Sequence, residues 1–173
     1  IYGPKGVGAL YVRKGTRFVP YIYGGGQEKG RRSGTENIPG IAGLAKAAEI
    51  GFATLEEKIK RLSEMRDYLK NRILESIPGV RLNGHPTERL PGNCNFSFKF
   101  IEGEAMVLRL DMAGIAASSG SACSSSSMKP AHTLKAMGLS NEEAFGSLRI
   151  TLGFENSYEE LDYFIDELQT IIR

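Results

Sequence analysis

A helical pattern of apolar residues between positions 41 and 73 constrains the fold of this chain more than any other feature. Apolar side chains recur three or four residues apart, which places them on one face of a helix. They are Ile41, Leu44, Ala45, Ala48, Phe52, Leu55, Ile59, Leu62, Met65, Leu69 and Ile73. Pro39 suits the first turn of such a helix, and Pro78–Gly79 follows its end. We expect one long helix that is bent or broken near Gly51.

The second half of this helix, from Glu56 onward, is mostly charged, which is typical of a helix that connects two domains. The pattern therefore predicts a domain boundary near residues 50–60, with residues 1–55 in one domain and 56–173 in another. A chain of 173 residues with 41% hydrophobic and 24% charged residues has the composition of a globular protein. We expect one compact domain with a smaller attachment, and composition argues against global disorder.

Downstream of residue 58 the patterns predict the order helix, strand, strand, helix, strand, helix, helix, strand, helix. Predicted strands are 80–82, 94–100, 115–117 and 147–152, and predicted helices include 102–113 and 130–137. Two further helices begin at capping boxes, Ser140 with Glu143 and Ser157 with Glu160, and the last carries an apolar stripe over 161–172 that we expect to pack in the core. A further strand is expected at 7–12. Cys94 falls on the apolar face of an alternating strand, so we interpret it as a small buried hydrophobe. The order predicts an α+β layer in which helices cover a small mixed or antiparallel sheet.

Composition also excludes several functional classes. The net charge is only +2 and no basic block occurs, so nucleic acid is not expected as the main ligand. No apolar run approaches the roughly 20 residues of a membrane span. Cys94 and Cys123 lie far apart without a pairing pattern, which favours a reducing, cytoplasmic compartment. Two histidines and no CxxC pattern offer no zinc site.

Three local features carry candidate chemistry. Residues 118–127 contain one thiol, Cys123, among glycine, alanine and serine only, which suggests either an exposed, mobile sulfur or a simple surface linker. Residues 24–34 contain five glycines, which either let the backbone approach a ligand closely or form an ordinary loop. Arg149 lies between apolar residues of a predicted strand, where a side chain faces a core or a cleft.

Four further motifs occur along the chain: YGPKGVGALY at 2–11, RSGT at 32–35, SGSAC at 119–123 and LRITLG at 148–153. Together, and in this order, they resemble the motifs of cysteine desulfurases, which are pyridoxal-phosphate-dependent enzymes of the class V aminotransferase family. The long segment around the cysteine, followed by MKP at 128–130, resembles the branch that serves iron–sulfur assembly.

The resemblance implies the α/β fold of type I pyridoxal-phosphate-dependent transferases. Residues 1–55 would then be the last part of the large cofactor-binding domain and the start of the connecting helix, and residues 56–173 the small C-terminal α+β domain. The implied reaction removes sulfur from L-cysteine, leaving L-alanine and a persulfide on the enzyme.

The resemblance also assigns roles to three residues. Cys123 is the implied nucleophile and sulfur carrier, for which a serine- and glycine-rich tether is suitable. Arg149 would bind the substrate carboxylate, the alternative being a surface ion pair. Thr35 would contact the cofactor phosphate of the neighbouring subunit. No resident metal is expected, although Cys123 could share an iron–sulfur cluster during transfer, and His85 and His132 match no catalytic position.

In the family, the lysine that forms the Schiff base with pyridoxal phosphate precedes the segment that begins here at Ile1. We therefore expect this chain alone to be inactive, and we do not assign Lys5 that role. The implied partners are L-cysteine, a second subunit in a homodimer, and an iron–sulfur scaffold or other sulfur-acceptor protein. A selenocysteine lyase-like homologue and a non-catalytic module that docks a sulfur acceptor remain alternatives.

Overall fold

The computed structural model describes residues 1–119 and 130–173. The chain divides into two compact units, Ile1–Leu55 (unit 1) and Glu56–Arg173 (unit 2). Unit 1 contains helices α1 (Gln27–Gly30) and α2 (Ile38–Ala53). The elements of unit 2 are, in order, α3 (Leu55–Ser76, which begins at the boundary), β1 (Arg81–Leu82), β2 (Asn93–Ser97), α4 (Gly103–Met112), β3 (Ser118–Ser119), α5 (His132–Ala136), α6 (Asn141–Phe145), β4 (Ser147–Thr151) and α7 (Tyr158–Ile172).

Unit 1, all of which the structure describes, has no strand and no buried hydrophobic side chain. The strand expected at 7–12 is therefore wrong, because a strand requires a hydrogen-bonded neighbour and no described residue supplies one. Helix α2 begins after Asn37, whose Oδ1 accepts a hydrogen bond from Gly40 N at 3.1 Å. Its apolar residues remain largely exposed, including Ile41 and Phe52.

The long predicted helix is two helices, and the chain breaks between them at Thr54. Gly51 lies inside α2, so the break occurs three residues beyond the expected position. Thr54 Oγ1 donates to Ile50 O at 3.0 Å, which helps to satisfy the last carbonyl groups of α2. No single helix of the described residues is long and apolar enough to cross a membrane; α2 and α3 meet that criterion only as a pair, across the break.

Within the described residues, the sheet of unit 2 has four strands in the order β1–β2–β4–β3, and all neighbours are antiparallel. The observed sequence of helices and strands agrees with the predicted order, and the sheet is of the predicted antiparallel type. Strand β3 lies at 118–119 rather than at 115–117. Strand β2 ends at Ser97: Phe98 N donates a last ladder bond to Gly146 O (2.9 Å), but Gly146 N donates to Glu142 O (2.9 Å) in α6 and returns no bond to β2. Phe100, expected on the apolar face, has φ +63° and is 95% exposed.

The core of unit 2 lies between the apolar face of this sheet and helices α3, α4 and α7. The sheet contributes Cys94, Phe96, Leu148 and Ile150, which alternate with polar residues along β2 and β4. The helices contribute Met65, Leu69, Ile73, Met106, Leu110, Leu161, Phe164, Ile165, Leu168 and Ile171. The predictions that Cys94 is a buried strand residue and that the last helix packs its apolar stripe into the core are confirmed.

The opposite, polar side of the sheet lies near the short helices α5 and α6. These share a small apolar cluster of Leu134, Leu139 and Ala144. The predicted capping boxes begin α6 and α7: Ser140 and Ser157 accept from the backbone N–H three residues on, and Glu143 and Glu160 accept in return. Helix α6 is thereby fixed beside the start of β4.

Gly146, between α6 and β4, allows an unusually close approach of two backbone segments. A Cβ atom at this position would collide with Phe98 O and would lie 3.0 Å from Ile101 O. The absence of a side chain therefore permits the hydrogen bond between Phe98 N and Gly146 O that ends β2. This contact holds α6 against the end of β2.

We predict that Gly146→Ala lowers the free energy of unfolding of unit 2 by about 1–3 kcal/mol, because backbone atoms cannot move aside as a flexible side chain can. Urea unfolding followed by circular dichroism measures the change. Gly51→Ala is the matched control, since an added Cβ there meets open space in a helix and should not destabilise the chain. An unchanged transition midpoint for Gly146→Ala would contradict the close approach.

Candidate functional site

A row of polar residues crosses the sheet of unit 2 on the side away from the core. Asn95 of β2 pairs in register with Arg149 of β4, and Arg149 pairs with Ser118 of β3. Asn83, just after β1, donates its backbone N–H to Asn95 O at 2.8 Å and extends the row to the other edge. Three of the four strands therefore contribute to the row, and the residue after β1 completes it.

Arg149 is exposed, and its guanidinium forms no hydrogen bond or ion pair with any residue in 1–119 or 130–173. It borders a cavity of about 350 Å³ between the polar face, the loop after β1 and helix α5. Asn83, Asn95, His85 and Leu134 are among the other residues that line this cavity. An uncompensated guanidinium beside a cavity is able to bind an anion, above all a planar carboxylate that can accept two parallel hydrogen bonds.

A directional hydrogen-bond network supports this face. Ser97 Oγ donates to Glu143 O at 2.7 Å, and Asn83 Nδ2 donates to Ser97 Oγ at 2.8 Å and to Asn95 Oδ1 at 2.7 Å. Asn83 is 2% exposed, and its Oδ1 is buried without a hydrogen-bond partner among the described residues. The network fixes Asn83 and Asn95 relative to α6, although one buried oxygen remains unsatisfied.

The loop between β1 and β2 is organised by Arg89. Its guanidinium donates to three backbone carbonyls: Asn83 O (3.0 Å), His85 O (3.2 Å) and Asn93 O (3.1 Å). His85 Nδ1 accepts from the backbone N–H groups of Thr87 (3.2 Å) and Glu88 (2.8 Å), so this histidine caps a turn. Arg89 and Glu88 also line the cavity and bring one charge of each sign to its wall.

Of the two cysteines, Cys94 lies within the described residues and Cys123 does not. Cys94 is 1% exposed and its Sγ lies 3.9 Å from Arg66 O. Burial raises the pKa of the Cys94 thiol, and the positive charges of Arg89 and Arg66 oppose this effect only in part. Cys94 is therefore a core residue and not an activated nucleophile. Cys123 lies outside the described residues, in the segment that follows β3.

Thr35 lies in the glycine-rich loop of unit 1, where its side chain is exposed and makes no hydrogen bond to any described residue. Beside it, Ser33 is buried and its Oγ donates to Gly25 O at 3.0 Å, while Gly34 N donates to Gln27 Oε1 at 3.2 Å. The loop thus folds back on its own glycines and leaves the Thr35 hydroxyl available.

The predicted site residues are distributed over the chain. Thr35 belongs to unit 1 and Arg149 to unit 2, and of these two described residues Arg149 lines the cavity. Our sequence reasoning did not single out Asn83, Asn95 or Arg89. The alternation of Asn95, Ser97 and Lys99 with apolar residues predicted a half-buried strand, but not which of its polar side chains border a cavity. Within the described residues, no cluster of three or more metal-binding side chains occurs.

Residues 1–164 match the aminotransferase class-V family. The chain belongs to this family. It is 50% identical over 171 residues to the cysteine desulfurase IscS of Dictyoglomus turgidum and 54% identical over 172 residues to the cysteine desulfurase IscS 1 of Archaeoglobus fulgidus. Each alignment covers 99% of this chain, but only 43% and 45% of the respective relatives.

Solved structures agree with this family assignment. A NifS-like protein superimposes with a TM-score of 0.86 at 37% identity, over 98% of this chain and 43% of that protein. The NifS-like protein from Rickettsia africae gives a TM-score of 0.80 at 31% identity, over 90% of this chain and 40% of that protein. The predicted resemblance and the α/β fold class are confirmed. This member of the aminotransferase class-V family spans less than half the length of each of these relatives.

We predict that Cys94 is unreactive toward thiol reagents in the folded protein. In a Cys123→Ser variant, where Cys94 is the remaining cysteine, Ellman's reagent should release no chromophore under native conditions and one equivalent in denaturant, because burial both shields the sulfur and disfavours the thiolate. A Cys94→Ala variant, which keeps Cys123, is the control: it should release one equivalent of chromophore in denaturant and thereby show that the reagent is active. Rapid native labelling of Cys94 would contradict the described core.

Proposed function

We propose that this chain is part of a cysteine desulfurase that removes sulfur from L-cysteine and holds it as a persulfide on Cys123. The single observation that carries the proposal is Arg149 at the cavity: no described residue compensates its charge, and it pairs in register with Ser118 of the strand that precedes Cys123 in the sequence. Identity of 50% and more to cysteine desulfurases supports the reaction class. Because the chain spans less than half of those relatives, the activity belongs to the whole enzyme.

Arg149 binds the carboxylate of L-cysteine in this proposal. Its guanidinium has no internal partner among the described residues, so it does not need to release an ion pair before substrate binds. A planar guanidinium grips a carboxylate through two parallel N–H···O bonds, which fixes the orientation of the amino acid as well as its charge.

Cys123 is the nucleophile in this proposal. Its thiolate forms a bond to the sulfur of L-cysteine while the bond between that sulfur and the substrate Cβ breaks, and Cβ takes up a proton to give L-alanine. The register of Arg149 with Ser118 favours this role, since Ser118 is five positions before Cys123.

The cofactor of the proposed enzyme is pyridoxal phosphate, which supplies an electron sink for bond breaking at an amino acid. Features of the chain suit the edge of such a site: the exposed Thr35 hydroxyl has no hydrogen-bond partner among residues 1–119 and 130–173, and the adjoining glycine-rich turn brings backbone close to the surface. We propose that Thr35 contacts the cofactor phosphate of the neighbouring subunit, where a hydroxyl donor suits an anion. Lys5 lies in an exposed turn and receives no role.

The proposed enzyme is a homodimer that works in the cytoplasm and passes its persulfide sulfur to an iron–sulfur scaffold or another sulfur-acceptor protein. The serine- and glycine-rich context of Cys123 in the sequence supports a transferable sulfur. The reduced thiol that such chemistry requires suits a reducing compartment.

The test of the proposed reaction is the site of sulfur addition. The full-length enzyme, or this chain combined with the complementary portion, is incubated with pyridoxal phosphate and L-cysteine, and its peptides are analysed by mass spectrometry without reduction. We expect one added sulfur atom on Cys123, and none in Cys123→Ser. The Cys94 peptide of the same digest is the internal control, since its sulfur is buried. Addition on Cys94 alone, or on neither cysteine, refutes the proposal.

Arg149→Lys tests the carboxylate site separately. Lysine keeps the positive charge but loses the paired hydrogen bonds, and a hydrogen bond to a charged group contributes about 1.5–3 kcal/mol. We expect the KM for L-cysteine to rise about 10- to 100-fold, measured from L-alanine formation. Arg81→Lys is the matched control, because Arg81 is also a strand arginine but its guanidinium pairs with Glu143 at 2.5 Å. Equal KM values for the two variants would argue against Arg149 as the carboxylate ligand.

A further inference from the structure

We propose that Asn95 is a second substrate-binding residue, which donates a hydrogen bond from Nδ2 to the carboxylate held by Arg149, and that Asn83 positions it. The inference rests on the proposed function and adds a residue that neither the motifs nor the family match assigns. Three observations carry it: the direction of the hydrogen bonds around Asn83, the register of Asn95 with Arg149, and the cavity that both residues line.

The orientation of the Asn95 amide follows from which groups in the network have a hydrogen atom to donate. Ser97 has a single hydroxyl proton, which it donates to Glu143 O, so Ser97 Oγ can only accept from Asn83. The atom of Asn83 that faces Ser97 must therefore be the nitrogen, Nδ2.

The same Asn83 Nδ2 lies 2.7 Å from Asn95, so the atom of Asn95 that faces it must be the acceptor Oδ1. This leaves Asn95 Nδ2 as the other end of the amide. It makes no hydrogen bond with any residue in the described ranges, and Asn95 is only partly buried. The chain of hydrogen bonds from Glu143 O of α6 through Ser97 and Asn83 therefore leaves Asn95 Nδ2 available as a donor at the cavity.

The register brings this donor beside the guanidinium. Asn95 and Arg149 are directly opposed on neighbouring antiparallel strands, which places their Cβ atoms about 4.5–5.5 Å apart on the same face. Both residues line the cavity of about 350 Å³. A carboxylate that binds Arg149 through two N–H groups retains lone pairs for a further donor, and the neutral amide can supply it without adding charge.

Asn83 acts through Asn95 and is a positioning residue. It is 2% exposed, so its own amide is largely removed from solvent, and both of its donated bonds are used within the network. Removal of Asn83 would allow the Asn95 amide to rotate and turn its oxygen toward the substrate carboxylate. Since that contact is repulsive, the orientation of Asn95 decides whether it helps or hinders binding.

The decisive measurement compares KM and kcat for L-cysteine in the full-length enzyme and its Asn95→Ala and Asn95→Asp variants. We expect Asn95→Ala to raise KM about 10-fold with little change in kcat, since the lost bond is present in both the bound substrate and the transition state. Asn95→Asp should raise KM further, because its carboxylate repels the substrate and pairs with Arg149. Calorimetric affinity for L-alanine, which carries the same carboxylate, should fall in parallel.

Asn93→Ala is the matched control. Asn93 lies on the same strand and borders the same cavity, but it pairs in register with Thr151, and its Nδ2 lies 3.5 Å from Thr151 Oγ1. Its KM should stay within about twofold of the wild-type value, the scatter expected for a residue that makes no bond to substrate. Thermal unfolding midpoints of all variants separate loss of binding from loss of folding.

A double-mutant cycle tests the positioning role of Asn83. Asn83→Ala should raise KM in the wild-type background and have no further effect on KM in the Asn95→Ala background, since it acts only through Asn95. Additive effects overturn the positioning role. If Arg149→Lys raises KM but the Asn95 variants match Asn93→Ala, the inference about Asn95 is wrong and the proposed function stands. If Arg149→Lys also leaves KM unchanged, the carboxylate site itself is wrong.

Discussion

The antiparallel pairing of β2 with β4 is the interaction on which both the core and the candidate site of unit 2 depend. The register runs from Asn93 opposite Thr151 to Ser97 opposite Ser147. Because side chains alternate along a strand, the same pairing sends Cys94 and its apolar neighbours into the core and sends Asn95 and Arg149 to the polar side. A slip of one residue would exchange the two sides and bury a guanidinium. Folding stability therefore enforces the geometry of the site.

Several guanidinium groups of unit 2 are bound by other groups of the protein. Arg89 is satisfied by three backbone carbonyls, and Arg66 and Arg81 by carboxylates. Arg149 lies in an interior strand of the sheet, yet no described residue compensates its charge. Because Arg149 is exposed, water solvates its charge and leaving it unpaired costs folding little, so the guanidinium is available to bind an anion.

Local patterns predicted much of unit 2 and little of unit 1. The alternation at β2, the capping boxes at Ser140 and Ser157 and the stripe of α7 each depend on residues close in sequence, and each was found where expected. The turn at Phe100 and the end of β2 depend on Gly146, which lies far along the chain, so periodicity alone predicted a longer strand. The Asn83–Asn95–Ser97 network likewise depends on which strands become neighbours. The family motifs indicated Arg149, but only the register indicates what lies beside it.

The absence of buried apolar side chains in unit 1 has a consequence for how the chain exchanges protons with water. Amide protons of β2 and β4 are protected by a ladder above a closed core, and their release requires the core to open. Residues 1–26 belong to no helix or strand, so their amides are exposed to solvent without any such opening. The amides of residues 1–26 and those of β2 and β4 therefore lie at opposite ends of the scale of hydrogen-exchange protection, and a single free energy of unfolding describes unit 2 but not the whole chain.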